Sequence, residues 1–577
     1  MSTSTASPAV TPDEPTGIQA VRRRYAHLAW PVALAGAVLL LVGCLLSWNY
    51  DTTVLGDLSI YFYPGPLQIL MIIVAVAAIV LLLAYRGPLH RLGEWLDVAS
   101  GLTAVGVGAS IYMLLVVVAG GIQAGGLVNV DPGGWVSFVG ALLLLAGAYL
   151  LPSTDRRDAI HARLPGWVEI ATIVVLLAVA LFGAAFALGQ DDGTIFVLFL
   201  VFAGTLVAGL VRCGFFAWVG IIAQKHREVL TLGAFVVAFL FPFTQNGSDA
   251  NMSIATQVII FAVTALGLNI VVGLAGLLDL GYIAFLGAGA YVGATLSMSA
   301  FATISWKPPF IVVVFVGALF SATLGLIIGT PTLRVSGDYL AIVTLAFGEI
   351  FRLAMGNFDG DNGPDLTNGP NGIPAIPDLA IGSFNFGDTH TVLGIPLGRF
   401  ANYYFLLLVV AAVIITVFTR LNNSRIGRGW VAIREDEKAA EAMGVNVFGL
   451  KLFAFASGAF LAGMAGTIKA HQDVSVTPDQ YVFLESAFLL AAIVLGGMGT
   501  VGGVLVGAAI LRLLPEKLRF ISDYRYLIFG ILLVLVMRFR PEGLVPSQRR
   551  RLEFHEDDER LASRIEQVHL EEEGAKA

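Results

Sequence analysis

Apolar residues run along this chain in long blocks separated by short polar connections. A helix needs about 20 apolar residues to cross roughly 30 Å of hydrocarbon. That ruler predicts about sixteen spans, near 29–48, 67–85, 99–120, 135–152, 167–188, 194–222, 229–243, 252–274, 280–300, 309–330, 338–356, 402–419, 447–468, 480–496, 501–514 and 524–540. The blocks 280–300, 480–496 and 501–514 are short or broken by glycine. One or two of them are expected to be re-entrant, which is tolerated where protein or a water-filled cavity covers the backbone. Two regions differ in texture. The block 29–222 is apolar with short connections and few charges inside spans. The block 229–546 carries Gly-rich segments, polar residues inside spans and two long connections, so function is expected there. A polar leader, 1–28, is expected to be disordered.

Composition agrees with the pattern. The 577 residues are 57% hydrophobic and 13% charged, against about 25% charged in soluble domains. Mean hydropathy is +0.82. The fold expected is an all-α polytopic membrane protein. The net charge is −7, and within the tail 547–577 residues 553–577, with nine acidic and three basic residues, hold −6 of it. There is no basic surface for nucleic acid. Cys44 and Cys213 both lie in apolar blocks, which excludes a disulfide framework. No lysine follows a glycine, so no phosphate-binding loop is present and ATP would have to be hydrolysed by another chain. The histidines are scattered, and no nucleophile–base set or metal-ligand spacing occurs. An enzyme is therefore not expected, and no cofactor is expected in this chain.

Charge sets the orientation, because short cytoplasmic loops are enriched in Lys and Arg. With the N-terminus inside, twenty-three Lys/Arg fall at inner ends and seven at outer ends. Both termini are then cytoplasmic, residues 357–401 face outside and 421–446 face inside.

Four stretches carry candidate chemistry. The first, 267–293 (GLNIVVGLAGLLDLGYIAFLGAGAYVG), is expected to break near 276–281, ending one span and opening another. Its glycines read as tight packing plus a turn; Asn269, Asp279 and Tyr282 are candidate intramembrane polar groups. In the second, 333–352, Ser336 and Asp338 read as a helix start. Thr344 sits in the following span, and Glu349 and Arg352 share one helical face. They form either a neutralised structural pair or part of a pathway, since charges inside a membrane are costly and face an interior or water. Glu485 is a further charge in a span. The third, the outer connection 357–401, has an Asp359, Asp361, Asp365 alternation that only weakly resembles a calcium loop, and it is long enough to dock an external partner. The fourth, 425–445, contains Trp430, Ile433, Arg434, Glu435, Asp436 and Glu437, with Gly444 as a helix stop. Residues 430–443 are expected to form a short amphipathic helix.

These motifs carry a resemblance. Besides the stretch 267–293, they are 334–350 (RVSGDYLAIVTLAFGEI), 369–374 (GPNGIP), 434–437 (REDE), 462–466 (AGMAG), 494–500 (VLGGMGT) and 540–544 (RPEGL). In this order, residues 229–546 resemble the LivM-type permease subunits of the branched-chain amino acid ABC importers. The block 29–222 departs from that pattern. The resemblance implies a ten-helix core like that of the vitamin B12-type importer permeases, preceded here by about six extra helices. It implies a bacterial plasma membrane location, a second, LivH-like permease, two cytoplasmic ATPases carrying ATP and Mg, and an external solute-binding protein. In that family the REDE segment resembles the coupling helix that sits on the ATPase. Trp430 and Ile433 would then fill a groove on the ATPase, and Arg434, Glu435, Asp436 and Glu437 would set its register. The implied substrates are leucine, isoleucine and valine, with urea or short amides as the alternative inside the family. An ion-coupled secondary transporter using Asp279, Glu349 and Glu485 is the alternative outside it.

Overall fold

The computed structural model describes residues 18–49, 65–93, 95–152, 165–190, 192–297, 306, 308–333, 338–361, 363–364, 366–392, 394–519, 524–539 and 543–545. The polar leader before residue 18, the helix-start serine Ser336, Asp365 and the acidic tail lie outside these residues. The chain forms two compact units, residues 1–238 and 239–577.

The first unit contains α1 (Ile18–Gly43), α2 (Pro66–Arg86), a single turn α3 (His90–Gly93), α4 (Val98–Gln123), α5 (Pro132–Leu150), α6 (Gly166–Gly189), α7 (Gly193–Arg212), α8 (Phe215–Lys225) and most of α9 (Arg227–Leu240). Lipid tails are as apolar as Leu, so helices associate here by close packing, and small residues make the approach possible. A Cβ at Gly140 would lie 2.5 Å from the Leu40 nitrogen, which is how α1 and α5 touch along their backbones. Asp97 caps α4 through the Ser100 N–H at 3.2 Å. Asp192 caps α7 through the Thr194 N–H at 2.7 Å. The predicted span 194–222 is corrected here. It is two helices, because Gly214 adopts φ +86° and turns the chain between α7 and α8.

The second unit is built around α17 (Val447–Asp473). It also contains α10 (Asp249–Asn269), α11 (Ile283–Leu296), α12 (Phe310–Thr332), α13 (Asp338–Asn357), α14 (Arg399–Asn422), α15 (Arg425–Glu435), α16 (Glu437–Ala442), α18 (Phe483–Gly496), α19 (Val501–Lys517) and α20 (Tyr524–Phe539). The small residues of the 462–466 motif let α11 and α12 lie against α17. A Cβ on Gly466 would collide with the Leu286 carbonyl, and one on Gly463 with Ser321. Thr467 seals the contact by donating to the Gly289 carbonyl at 3.0 Å.

Among the described residues, 13 helices are long and apolar enough to cross a membrane. The three other predicted spans are α11, α19 and α20, at 14, 17 and 16 residues. At 1.5 Å per residue α11 reaches only about 21 Å. The expected break after α10 is present. A π turn (Ile270–Leu274) ends that helix, Gly276 follows at φ +72°, and the chain stays irregular to residue 282.

The connection between α13 and α14 is folded instead of being a bare solvated loop. It carries two hairpins, β1–β2 (Ala380–Ile381, Phe384–Asn385) and β3–β4 (His390–Val392, Ile395–Leu397). It is fastened to the end of α17. Ile373 pairs antiparallel with Val476. Arg399 donates to the His471 and Gln472 carbonyls at 2.6 and 2.8 Å and to Asp378 at 2.6 Å. Those carbonyls are among the last of a helix and have no intrahelical donor, so a cation is well placed there.

Candidate functional site

The motif-bearing stretches meet where α15 and α16 cross the ends of α10 and α17. The helix expected over 430–443 is two. Asp436 is extended (φ −153°, ψ 108°), ending α15 and capping α16 through the Ala439 N–H at 2.9 Å. A short acidic side chain here competes with the helix for backbone donors, which breaks the run. Gly444, at φ +82°, closes α16 as a left-handed C-terminal residue.

The faces of this pair are divided sharply. Trp430 is fully buried, donates from Nε1 to the Leu450 carbonyl at 2.7 Å and stacks on Phe453 at 6.0 Å between centroids. Ile433 and Ala440 are also buried. The expectation that Trp430 and Ile433 fill a partner's groove does not fit this burial: both hold the pair on its own bundle. Glu437 binds Lys451 of α17 at 2.7 Å. Arg434 reaches across to the π turn that ends α10, donating from Nη1 to the Gly273 carbonyl at 2.9 Å, while Glu435 accepts from its Nη2 at 2.7 Å. A Cβ at Gly276 would lie 2.5 Å from the Arg434 Cγ, so only glycine lets the two segments close. What the pair offers outward is Glu435, Asp436, Lys438, Glu441 and Met443, the last 84% exposed.

The candidate polar residues inside the bundle separate into two kinds. Asn269, Asp279, Tyr282 and Thr344 are buried and act as fasteners. Asn269 accepts from the Gly499 N–H at 2.9 Å, pinning the 497–500 turn to α10. Asp279 accepts from the Gly281 N–H at 2.9 Å, and Thr344 from the Leu280 N–H at 3.0 Å, which fixes the irregular stretch on α13. Tyr282 donates to the Gly458 carbonyl at 2.6 Å. Glu349 and Arg352 do pair, at 2.9 Å, and Arg352 also reaches Asp479 at 3.3 Å. The pair is half-exposed, not buried.

Glu485 is of the second kind. It lines a cavity of about 140 Å³ together with the polar or charged Gln257, Thr264, Lys469, Gln480 and Arg512. Ile260, Phe261, Ile283, Leu286 and Leu489 complete the lining. Sequence reasoning missed Arg512, Gln257, Lys469 and Gln480. Arg512 had a signal, a charge within the apolar block 501–514. The others had none, because only folding brings α10, the end of α17 and α18 together. No cluster of His, Cys, Asp and Glu suited to a metal ion occurs among the described residues.

A family model for the permease component of branched-chain amino acid transport systems matches residues 250–537. The high-affinity branched-chain amino acid transport permease LivM of Salmonella typhimurium is 38% identical over 340 residues, 57% of this chain and 77% of that protein. LivM of Escherichia coli K12 is 37% identical over the same shares. LivH of Escherichia coli K12 is 26% identical over 49% of this chain and 91% of that protein. No solved structure matches significantly. With its motif-bearing bundle matched almost end to end by these relatives, the chain belongs to the branched-chain amino acid transport permease family.

Proposed function

We propose that this chain is the membrane-spanning permease subunit of an ATP-driven importer for branched-chain amino acids. The observation that carries the reading is the likeness to LivM across the second unit, where the REDE segment forms the rigid corner between α15 and α16. That corner is attached to α17 by Trp430 and Glu437 and to the π turn that ends α10 by Arg434. An ATPase pressing on the exposed Glu435, Asp436, Glu441 and Met443 would move two transmembrane helices together. Charged residues at such a rim choose the partner and its register.

The assembly read from this has a LivH-like second permease beside the chain and two ATPases, holding ATP and Mg, on the cytoplasmic face. An external solute-binding protein docks on the folded connection between α13 and α14, where Ile381, Phe384 and Val392 are exposed. Both termini face the cytoplasm, and the membrane is the bacterial plasma membrane. The chain itself performs no catalysis. Of the carboxylates an ion-coupled transporter would need, Glu349 already has a partner in Arg352, which favours the ATP-driven reading.

The test is leucine uptake into proteoliposomes holding the complete complex. ATP inside the ATPase-facing compartment is expected to drive uptake with no ion gradient. Uptake driven by a proton or sodium gradient without ATP would sink the reading. Reversing charge at the corner, with Glu435→Arg and Glu441→Arg together, is expected to abolish substrate-stimulated ATP hydrolysis while the permease still inserts.

A further inference from the structure

The cavity beside Glu485 is lined in a way that the fasteners around it are not. Its lining combines apolar Ile260, Phe261, Ile283, Leu286 and Leu489 with polar Gln257, Thr264 and Gln480 and the charged Lys469, Glu485 and Arg512. At about 140 Å³ it is well below the roughly 300–1,000 Å³ of sites for drug-sized ligands. That volume suits a group of amino-acid size. It adjoins a second cavity of about 450 Å³ that shares Gln257, Phe261, Glu485 and Arg512 and continues past Ser253 and Glu516. In the orientation proposed above, that wider space lies towards the outside and narrows into the smaller pocket.

The two charges at the junction are held loosely. Arg512 Nη1 and Glu485 Oε2 are 3.9 Å apart, beyond hydrogen-bonding distance. Arg512 instead donates from Nε and Nη2 to Gln257 Oε1 at 3.2 and 2.7 Å. Each charge balances the other, yet the guanidinium fork and the carboxylate keep capacity for a further partner. The neighbouring charges are already neutralised: Lys469 by Asp473 at 2.5 Å, Arg519 by Glu516 at 2.9 Å. A net cation or anion would leave an uncompensated charge at the junction, whereas a zwitterion would not.

We propose that this cavity receives the head of an α-amino acid, with Arg512 taking the carboxylate, Glu485 the ammonium group and the apolar lining residues the aliphatic side chain. The proposal rests on the importer reading and adds the residues that meet the substrate. The first turns of α11 and α18 both border the space, through Ile283 and Glu485. The charge pair reads the backbone common to leucine, isoleucine and valine, so choice among side chains would fall to the apolar lining residues and to the binding protein.

The experiment uses the complete reconstituted importer, with leucine as probe and uptake per ATP hydrolysed as readout. Arg512→Gln and Glu485→Gln are each expected to lower that ratio about tenfold, as the loss of one charge-assisted hydrogen bond implies. A purely structural bracket would lower uptake and hydrolysis together and leave the ratio unchanged; that outcome, or wild-type uptake in both variants, overturns the proposal. Where a glutamine variant fails to assemble, Gln257→Trp takes its place. It fills the mouth from a half-buried position and is expected to cut uptake about tenfold, and unchanged uptake overturns the proposal equally. If the unmodified complex carries no leucine, the importer reading itself fails, so the two failures are distinct.

Discussion

Arg434 ties the α15–α16 corner to the break after α10, so its removal separates transmission from assembly. Its hydrogen bond to the Gly273 carbonyl, at 2.9 Å, is charge-assisted and partly buried. Such bonds contribute about 1.5–3 kcal/mol. Its pair with Glu435 adds little, because the Glu435 side chain is 58% exposed and solvent screens it. Arg434→Ala should therefore loosen the corner from α10 by about 2 kcal/mol, or roughly 30-fold in the population of the joined state. Trp430 and Glu437 still hold the corner to α17, so the protein is expected to insert and to bind its ATPase. Uptake per ATP hydrolysed in the reconstituted complex should fall, with hydrolysis continuing. Gly276→Ala attacks the same contact from the other side. It adds left-handed strain of about 1–2 kcal/mol and forces a methyl against Arg434, so it should give the same phenotype. The double variant should be little worse than either single one, as expected for residues sharing one contact. Tight coupling in Arg434→Ala, or additive losses in the double, would refute this route.

Three further outcomes can be measured. Trp430→Ala removes a fully buried ring and its hydrogen bond and should destabilise the second unit by about 3–5 kcal/mol, seen as lower folded yield and melting temperature; a stable variant that merely loses the ATPase on co-purification would return Trp430 to the interface. Because Arg352 serves both Glu349 and Asp479, Arg352→Gln should cost more than Glu349→Gln, each no more than about 1 kcal/mol for half-exposed pairs, and equal losses would show that Asp479 is idle. Cysteine introduced at Ser383 should react with an impermeant reagent from outside and cysteine at Ser424 should not; the reverse pattern would invert the orientation.

The sequence alone determined the class and most of the helix count. A run of about 20 apolar residues has one stable fate in lipid, where every backbone group must be satisfied within its own helix. It also located the break after α10, because glycine at a span end next to polar residues leaves few alternatives. It misjudged lengths where a single residue changes the path. Gly214 divides the 194–222 block and Asp436 divides the 430–443 helix. Both changes depend on whether one residue turns the chain, which a hydropathy window averages away. What only the tertiary structure decided is which way side chains face. Trp430, read as an outward anchor, points inward, because amphipathic spacing gives two faces and not which of them meets the bundle. Asn269, Asp279, Tyr282 and Thr344 turn out to hold irregular backbone. The cavity lined by Gln257, Glu485 and Arg512 was illegible, since more than 200 residues separate Gln257 from the other two and only the packing of α10 against α18 and α19 brings them together.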